Sequence, residues 1–71
     1  MFEYILFFQL CSIVDKNCLE QIEYKKPFPS HYECVIKGYD LGTEIMKAVK
    51  KENAEKKKIY LQFFCIESEV L

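Results

Sequence analysis

Over residues 2–11 the chain reads FEYILFFQLC, and both alternating sets of positions carry bulk. Phe2, Tyr4, Leu6, Phe8 and Leu10 make one set. Ile5, Phe7 and Cys11 belong to the other, with Glu3 and Gln9 as its polar members. A strand that buries only one face alternates apolar with polar. A strand apolar on both faces is therefore expected at the centre of a sheet, covered on both sides. Asp15-Lys16-Asn17 signals a turn after it. Residues 18–24 (CLEQIEY) read as a second strand, short and acidic as an edge strand should be. Simple alternation puts Leu19, Gln21 and Glu23 on one face of it and Cys18, Glu20, Ile22 and Tyr24 on the other.

Residues 25–29 (KKPFP) form a linker, because two prolines end any strand and hold the chain extended. Ser30-His31-Tyr32-Glu33 then fits a capping box. The Ser30 hydroxyl would accept from the Glu33 amide, and the Glu33 carboxylate would reach back to the Ser30 amide. The helix is expected over about residues 30–53. Cys34, Gly38, Leu41, Ile45 and Ala48 follow helical spacing, and Val35, Met46 and Val49 widen the stripe. Lys47, Lys50 and Lys51 fall near its end, where positive charge offsets the helix dipole. Gly38 and Gly42 each cost about 1 kcal/mol in a helix relative to Ala. Two readings follow from their four-residue spacing: close approach of helix to sheet, or a break at Gly42. Residues 54–58 (AEKKK) turn the chain. The third strand covers about residues 58–66, and residues 67–71 read as a frayed tail.

The expected fold is therefore α+β, a single small β-β-α-β domain. A short turn makes the first two strands an antiparallel hairpin. The helix returns the chain, so the third strand adds to the free side of the first. The result is a three-stranded antiparallel sheet of order 2-1-3 with one helix on one face. This order places the cysteines. Cys11 and Cys18 flank the hairpin turn; Cys34 in the first helical turn and Cys65 late in strand three belong at the other end. Cys11 is expected to pair with Cys18 and Cys34 with Cys65, each within the Cα separation of about 7 Å that a disulfide demands. The alternative is four free thiols acting as small apolar residues. If Cys65 faces the helix, so do Ile59, Leu61 and Phe63, against Leu6, Phe8 and Leu10. Ile5, Phe7, Tyr60, Phe64 and Ile66 are left on the far face with Gln9 and Gln62. One helix does not cover both faces, and an aromatic patch on so small a chain points to a partner.

Composition adjusts this picture in three ways. At 71 residues the chain is one domain whose core is small enough that disulfides, a metal or a partner matter to its stability. Ten basic against eleven acidic residues argue against a general nucleic-acid coat protein. The four cysteines suggest two bridges in an oxidising compartment and free thiols in a reducing one. The N-terminus lacks the basic region and small-residue cleavage site of a secretory signal, so the cytoplasm of the cell, or host cell, is the expected location, and export is expected if the cysteines are paired. The apolar run is too short and too interrupted to span a membrane, and no membrane association is expected.

Candidate chemistry is sparse. His31 and Cys34 have the spacing of one side of a helical zinc site, with Cys65 and Cys11 or Cys18 as further ligands, but a surface histidine beside core or bridged cysteines accounts for the same residues. Cys34 near a helix N-terminus would have a lowered thiol pKa, yet no activating base and orienting group accompany it. No catalytic, cofactor or metal residue is assigned, and the chain is expected not to be an enzyme. Lys47, Lys50, Lys51, Lys56, Lys57 and Lys58 beside Tyr60, Phe64 and Phe7 would suit a single-stranded nucleic acid, as a secondary reading against solvated charge at a helix end.

With the elements placed, a pattern emerges: Gln9-Leu10-Cys11-Ser12 closing the first strand, Cys18 soon after, Phe28-Pro29-Ser30 with Tyr32, Cys34 and Gly38, and Phe63-Phe64-Cys65 late in the last strand. It resembles a group of short, uncharacterised proteins of marine phage and environmental sequences. The resemblance covers most of the chain. It implies a phage or phage-host origin and supplies no function. The expected role is a non-enzymatic interaction module that binds itself or a host protein through the aromatic sheet face.

Overall fold

The computed structural model describes residues 1–70; Leu71, the last position of the expected tail, lies outside them. In chain order the elements are β1 (Phe2–Ser12), β2 (Asn17–Cys18), β3 (Ile22–Glu23), α1 (His31–Ala48), α2 (Lys51–Lys57) and β4 (Ile59–Glu69). The class is α+β and the sheet is antiparallel throughout, with β1 at its centre. Two details of the expectation are corrected: the sheet has four strands rather than three, and there are two helices rather than one.

β1 and β4 are in register without interruption from Phe2↔Glu69 to Ser12↔Ile59. Residues 67–69, expected as a frayed tail, are thus strand. The pairing occupies one edge of β1 along its whole length, so β2 and β3 share the other. An eleven-residue strand spans roughly 36 Å. The strand pair therefore sets the long axis of a molecule measuring 44 × 20 × 16 Å.

The expected second strand is split by a bulge. Cys11 pairs with Cys18, but Phe8 pairs with Ile22. Three steps along β1 match four along its neighbour, so one extra residue is absorbed at Glu20-Gln21. The slip changes the faces. Cys18 shares a face with Cys11, whereas Ile22 shares the opposite face with Phe8, although strict alternation places both on one side. Tyr24, whose amide donates to the Leu6 carbonyl at 2.8 Å, joins the core. Beyond the prolines the edge is extended by Phe28, which exchanges two 2.9 Å backbone bonds with Tyr4.

α1 starts as its sequence dictates. Ser30 is extended (φ −141°, ψ 154°), and its hydroxyl accepts from the Glu33 amide at 3.2 Å. The reciprocal bond differs from the expected one: the Glu33 carboxylate accepts from the Ser30 hydroxyl itself, at 3.1 Å. The helix lies on the face of Leu6, Phe8, Leu61 and Phe63. Leu6 and Cys34 are fully buried and Phe8 nearly so. Burial of a side chain such as Leu6 or Phe8 is worth about 1.5–3 kcal/mol.

Gly38 and Gly42 are both buried and helical, and no break occurs at Gly42. A Cβ at Gly38 would lie 2.5 Å from the Phe63 ring, and one at Gly42 would lie 2.9 Å from Leu61 Cδ2. Their role is close approach. The helix ends five residues earlier than expected. Val49 (ψ 131°) and Lys50 (ψ 132°) are extended, and α2 begins after them. Eighteen helical residues rise about 27 Å. The two extended residues then redirect the chain, and α2 docks on the hairpin turn. There Ile13 donates to the Lys58 carbonyl, and the Ser12 hydroxyl and Val14 amide donate to that of Lys57. These bonds satisfy carbonyls that a helix end leaves without partners.

Candidate interaction surface

Directly opposed residues of an antiparallel pair share a face. The register Ile5↔Ile66, Phe7↔Phe64, Gln9↔Gln62 and Cys11↔Tyr60 therefore assembles one surface, on the side of the sheet away from α1. All five expected contact residues, Ile5, Phe7, Tyr60, Phe64 and Ile66, lie on it. Ile66 is 50% exposed and Tyr60 42%, while Ile5, Phe7 and Phe64 are half-buried by their neighbours in the sheet. The general rule that a strand apolar on both faces is covered on both does not hold for β1: among the described residues no helix lies on this face, as expected where one helix packs on the other.

The surface has structure of its own. Gln62 Nε2 donates to Gln9 Oε1 at 3.2 Å and to Cys11 Sγ at 3.4 Å, and Gln9 Nε2 donates to the Leu19 carbonyl at 3.0 Å. The two amides thus hold each other and divide Tyr60 from the Ile5–Phe7–Phe64–Ile66 patch. Glu3, opposite Ser68, and Glu23, opposite Phe7, stand on the same face. The rim of the patch is consequently acidic. The sequence hinted at this through Glu3, but the position of Glu23 beside Phe7 depends on the bulge.

The cysteines form two pairs at disulfide distance. Cys11 and Cys18 have a Cα separation of 3.9 Å, and Cys34 and Cys65 one of 6.1 Å. The first pair follows from backbone phase. The even residues of β1, such as Tyr4, Leu6 and Leu10, bond to the β3 side. Cys11 and Cys18 are therefore a non-hydrogen-bonded pair, the geometry in which opposed Cα atoms come closest. The two pairs do not converge. Cys65 is opposite Leu6, five residues from Cys11 along β1 or roughly 17 Å, and on the opposite face.

His31, considered as a metal ligand, packs edge-on against Tyr4 with ring centroids 5.8 Å apart. No group of three or more metal-binding side chains occurs among the described residues. Cys34, considered as a nucleophile, is fully buried against Cys65. Lys56, Lys57 and Lys58 gather at the hairpin end of the sheet. There Lys57 pairs with Asp15 at 3.2 Å and Lys58 with Glu55 at 3.5 Å. Phe64 lies five residues along β4 from Ile59, roughly 17 Å from that end, so the aromatic patch and the lysines are not brought together. At the far end the Tyr4 hydroxyl donates to Glu67 Oε1 at 3.1 Å, a contact that the sequence does not signal. That bond, with partial desolvation and the carboxylate charge, raises the phenol pKa above its ordinary value. No described helix is long and apolar enough to cross a membrane.

No protein-family model, curated protein or solved structure matches this chain, so its function is argued from this surface.

Proposed function

We propose that this protein is a non-enzymatic interaction module whose contact surface is the helix-free face of the sheet. The observation that carries the reading is the uncovered row of Ile5, Phe7, Phe64 and Ile66, with Tyr60 beyond the glutamine pair. Contiguous apolar surface of this kind is characteristic of protein contacts. The acidic rim of Glu3 and Glu23 suits a protein with an apolar centre and basic surroundings. Two further observations favour binding over catalysis: the candidate thiol of Cys34 is taken up by Cys65, and His31 is held against Tyr4. The resemblance to phage sequences makes a host protein the natural partner. Paired cysteines would set the module in an oxidising compartment, which argues against the cytoplasmic expectation.

The test is site-specific photo-crosslinking in an extract of the source organism, with the reactive side chain at Tyr60 or Ile66 and controls at Tyr32 and Ile36 on the helix. The reading expects a protein adduct from the sheet positions alone. Adducts only from the helix positions would overturn it. An adduct with nucleic acid instead of protein would favour the single-strand-binding reading.

A further inference from the structure

A second surface of the sheet, distinct from the helix-free face, is its β4 edge. β1 is bonded on both edges and β4 on one. The phase of the ladder shows which groups are left outward. The even residues of β1 turn to the β3 side, and the Ile13 amide donates to the Lys58 carbonyl, so the even residues of β4 bond to β1. The odd residues Ile59, Leu61, Phe63, Cys65, Glu67 and Glu69 therefore direct their amides and carbonyls away from the sheet. Edge strands of monomeric proteins are normally blunted by central charges, proline, bulges or short length. β4 has none of these: residues 59–66 carry no charge and no proline, and all eleven pairs with β1 are in register. Beside this edge lies a cleft of 430 Å³ where Tyr39 and Met46 of α1 stand over Leu61 and Phe63.

The charges at its two ends select the occupant. Lys56, Lys57 and Lys58 precede β4, and Glu67 and Glu69 close it. Parallel pairing of two such strands sets like charges together. Antiparallel pairing sets the lysines of each copy beside the glutamates of the other. We propose that β4 pairs antiparallel with β4 of a second copy of this chain, giving a two-fold dimer with one continuous sheet. A two-fold axis at Phe63 puts Leu61 opposite Cys65 and Ile59 opposite Glu67 of the second copy. Leu61, Phe63 and Cys65 then meet their counterparts across the axis, and each cleft receives side chains of the other copy. The helix-free faces join into one longer surface.

The experiment is sedimentation over a concentration series, with a charge swap. Lys56→Glu/Lys58→Glu makes both ends of β4 acidic; Glu67→Lys/Glu69→Lys makes both basic. The wild type is expected to dimerise, more weakly as salt rises. Each variant alone is expected to associate roughly tenfold or more weakly than wild type. An equimolar mixture of the two is expected to recover a dimer, which also shows that both variants fold. A monomeric wild type, variants that dimerise as tightly as wild type, or a mixture that stays monomeric overturns the proposal. Amide exchange of the wild type gives a second reading independent of the variants. The amides of Leu61, Phe63 and Cys65 should become protected as concentration rises. A dimer formed through the helix-free face would leave them unprotected and overturn the edge proposal while sparing the face.

Discussion

At the residue scale the tighter of the two glycine contacts is Gly38 against the Phe63 ring. Replacing Gly by Ala in a helix ordinarily stabilises by about 1 kcal/mol, whereas overpacking a tight contact costs about 1–3 kcal/mol. At Gly38 the added Cβ would meet ring atoms at 2.5 Å, so the steric cost dominates. At Gly42 it would meet the end of a flexible leucine at 2.9 Å, which can turn away. Denaturant unfolding should find Gly38→Ala destabilised by up to about 2 kcal/mol and Gly42→Ala neutral or stabilised by up to about 1 kcal/mol. Equal effects would mean that the helix sits differently on the sheet. The glycine spacing made the close approach legible in the sequence, although not which glycine is the tighter. Tyr4 was not legible in this way, because its partner Glu67 lies 63 positions away. The phenol must leave a hydrogen bond to a carboxylate when it ionises, so its folded pKa lies above the ordinary 10.0. This bond stabilises the fold below the unfolded tyrosine pKa and is lost as pH rises through the folded value. An NMR titration of the ring should show Tyr4 ionising later than free tyrosine and returning towards 10.0 in Glu67→Gln.

At the element scale, the existence and order of strands and helix could be read from alternation, proline and the capping box. The two interruptions could not. Neither Glu20-Gln21, where the edge strand bulges, nor Val49-Lys50, where the helix stops, contains a glycine or proline. Tertiary fit decides both places, by packing Tyr24 against the core and by bringing the chain back to the hairpin turn. The helix break is directly testable. Lys50 has φ −62° and follows an extended residue, which is the conformation that proline fixes. Lys50→Pro should therefore raise stability by about 0.4–1 kcal/mol. In a helix continuous through residue 53 it would cost about 3 kcal/mol. The cysteine pairs join elements of different separation, 31 positions for Cys34–Cys65 and 7 for Cys11–Cys18. On chain entropy the longer closure is worth about 3–4 kcal/mol and the shorter about 2–3 kcal/mol. In oxidised protein, unfolding of Cys34→Ala/Cys65→Ala should show the larger loss, and the reverse order would contradict the pairing of helix to sheet.

At the scale of the whole molecule, the sheet has one face covered by α1 and one without a helix, and a short, broken edge at β2 and β3 opposite a long, continuous edge at β4. A single helix of 18 residues lies over Leu6, Phe8 and Phe63, while the residues between them in sequence point the other way. The sequence showed that β1 has two apolar faces. It also implied that one face stays uncovered, because one helix is too narrow to close both sides of a strand pair. Of the aromatic side chains outside the core, Phe7, Tyr60 and Phe64 lie on the proposed contact surface beside Ile5 and Ile66. Adjacent residues of β1 separate the two faces cleanly. Phe8 is 4% exposed beneath α1, and Phe7 is half-buried on the side that has no helix. The unfolding free energies of Phe7→Ala and Phe8→Ala, measured on dilute protein, therefore test the account most directly. Phe8→Ala should lose about 3–4 kcal/mol and Phe7→Ala about 1 kcal/mol. Losses of equal size would show that the face bearing Phe7 is already filled in the isolated chain, and would contradict its assignment as a surface held open for a partner.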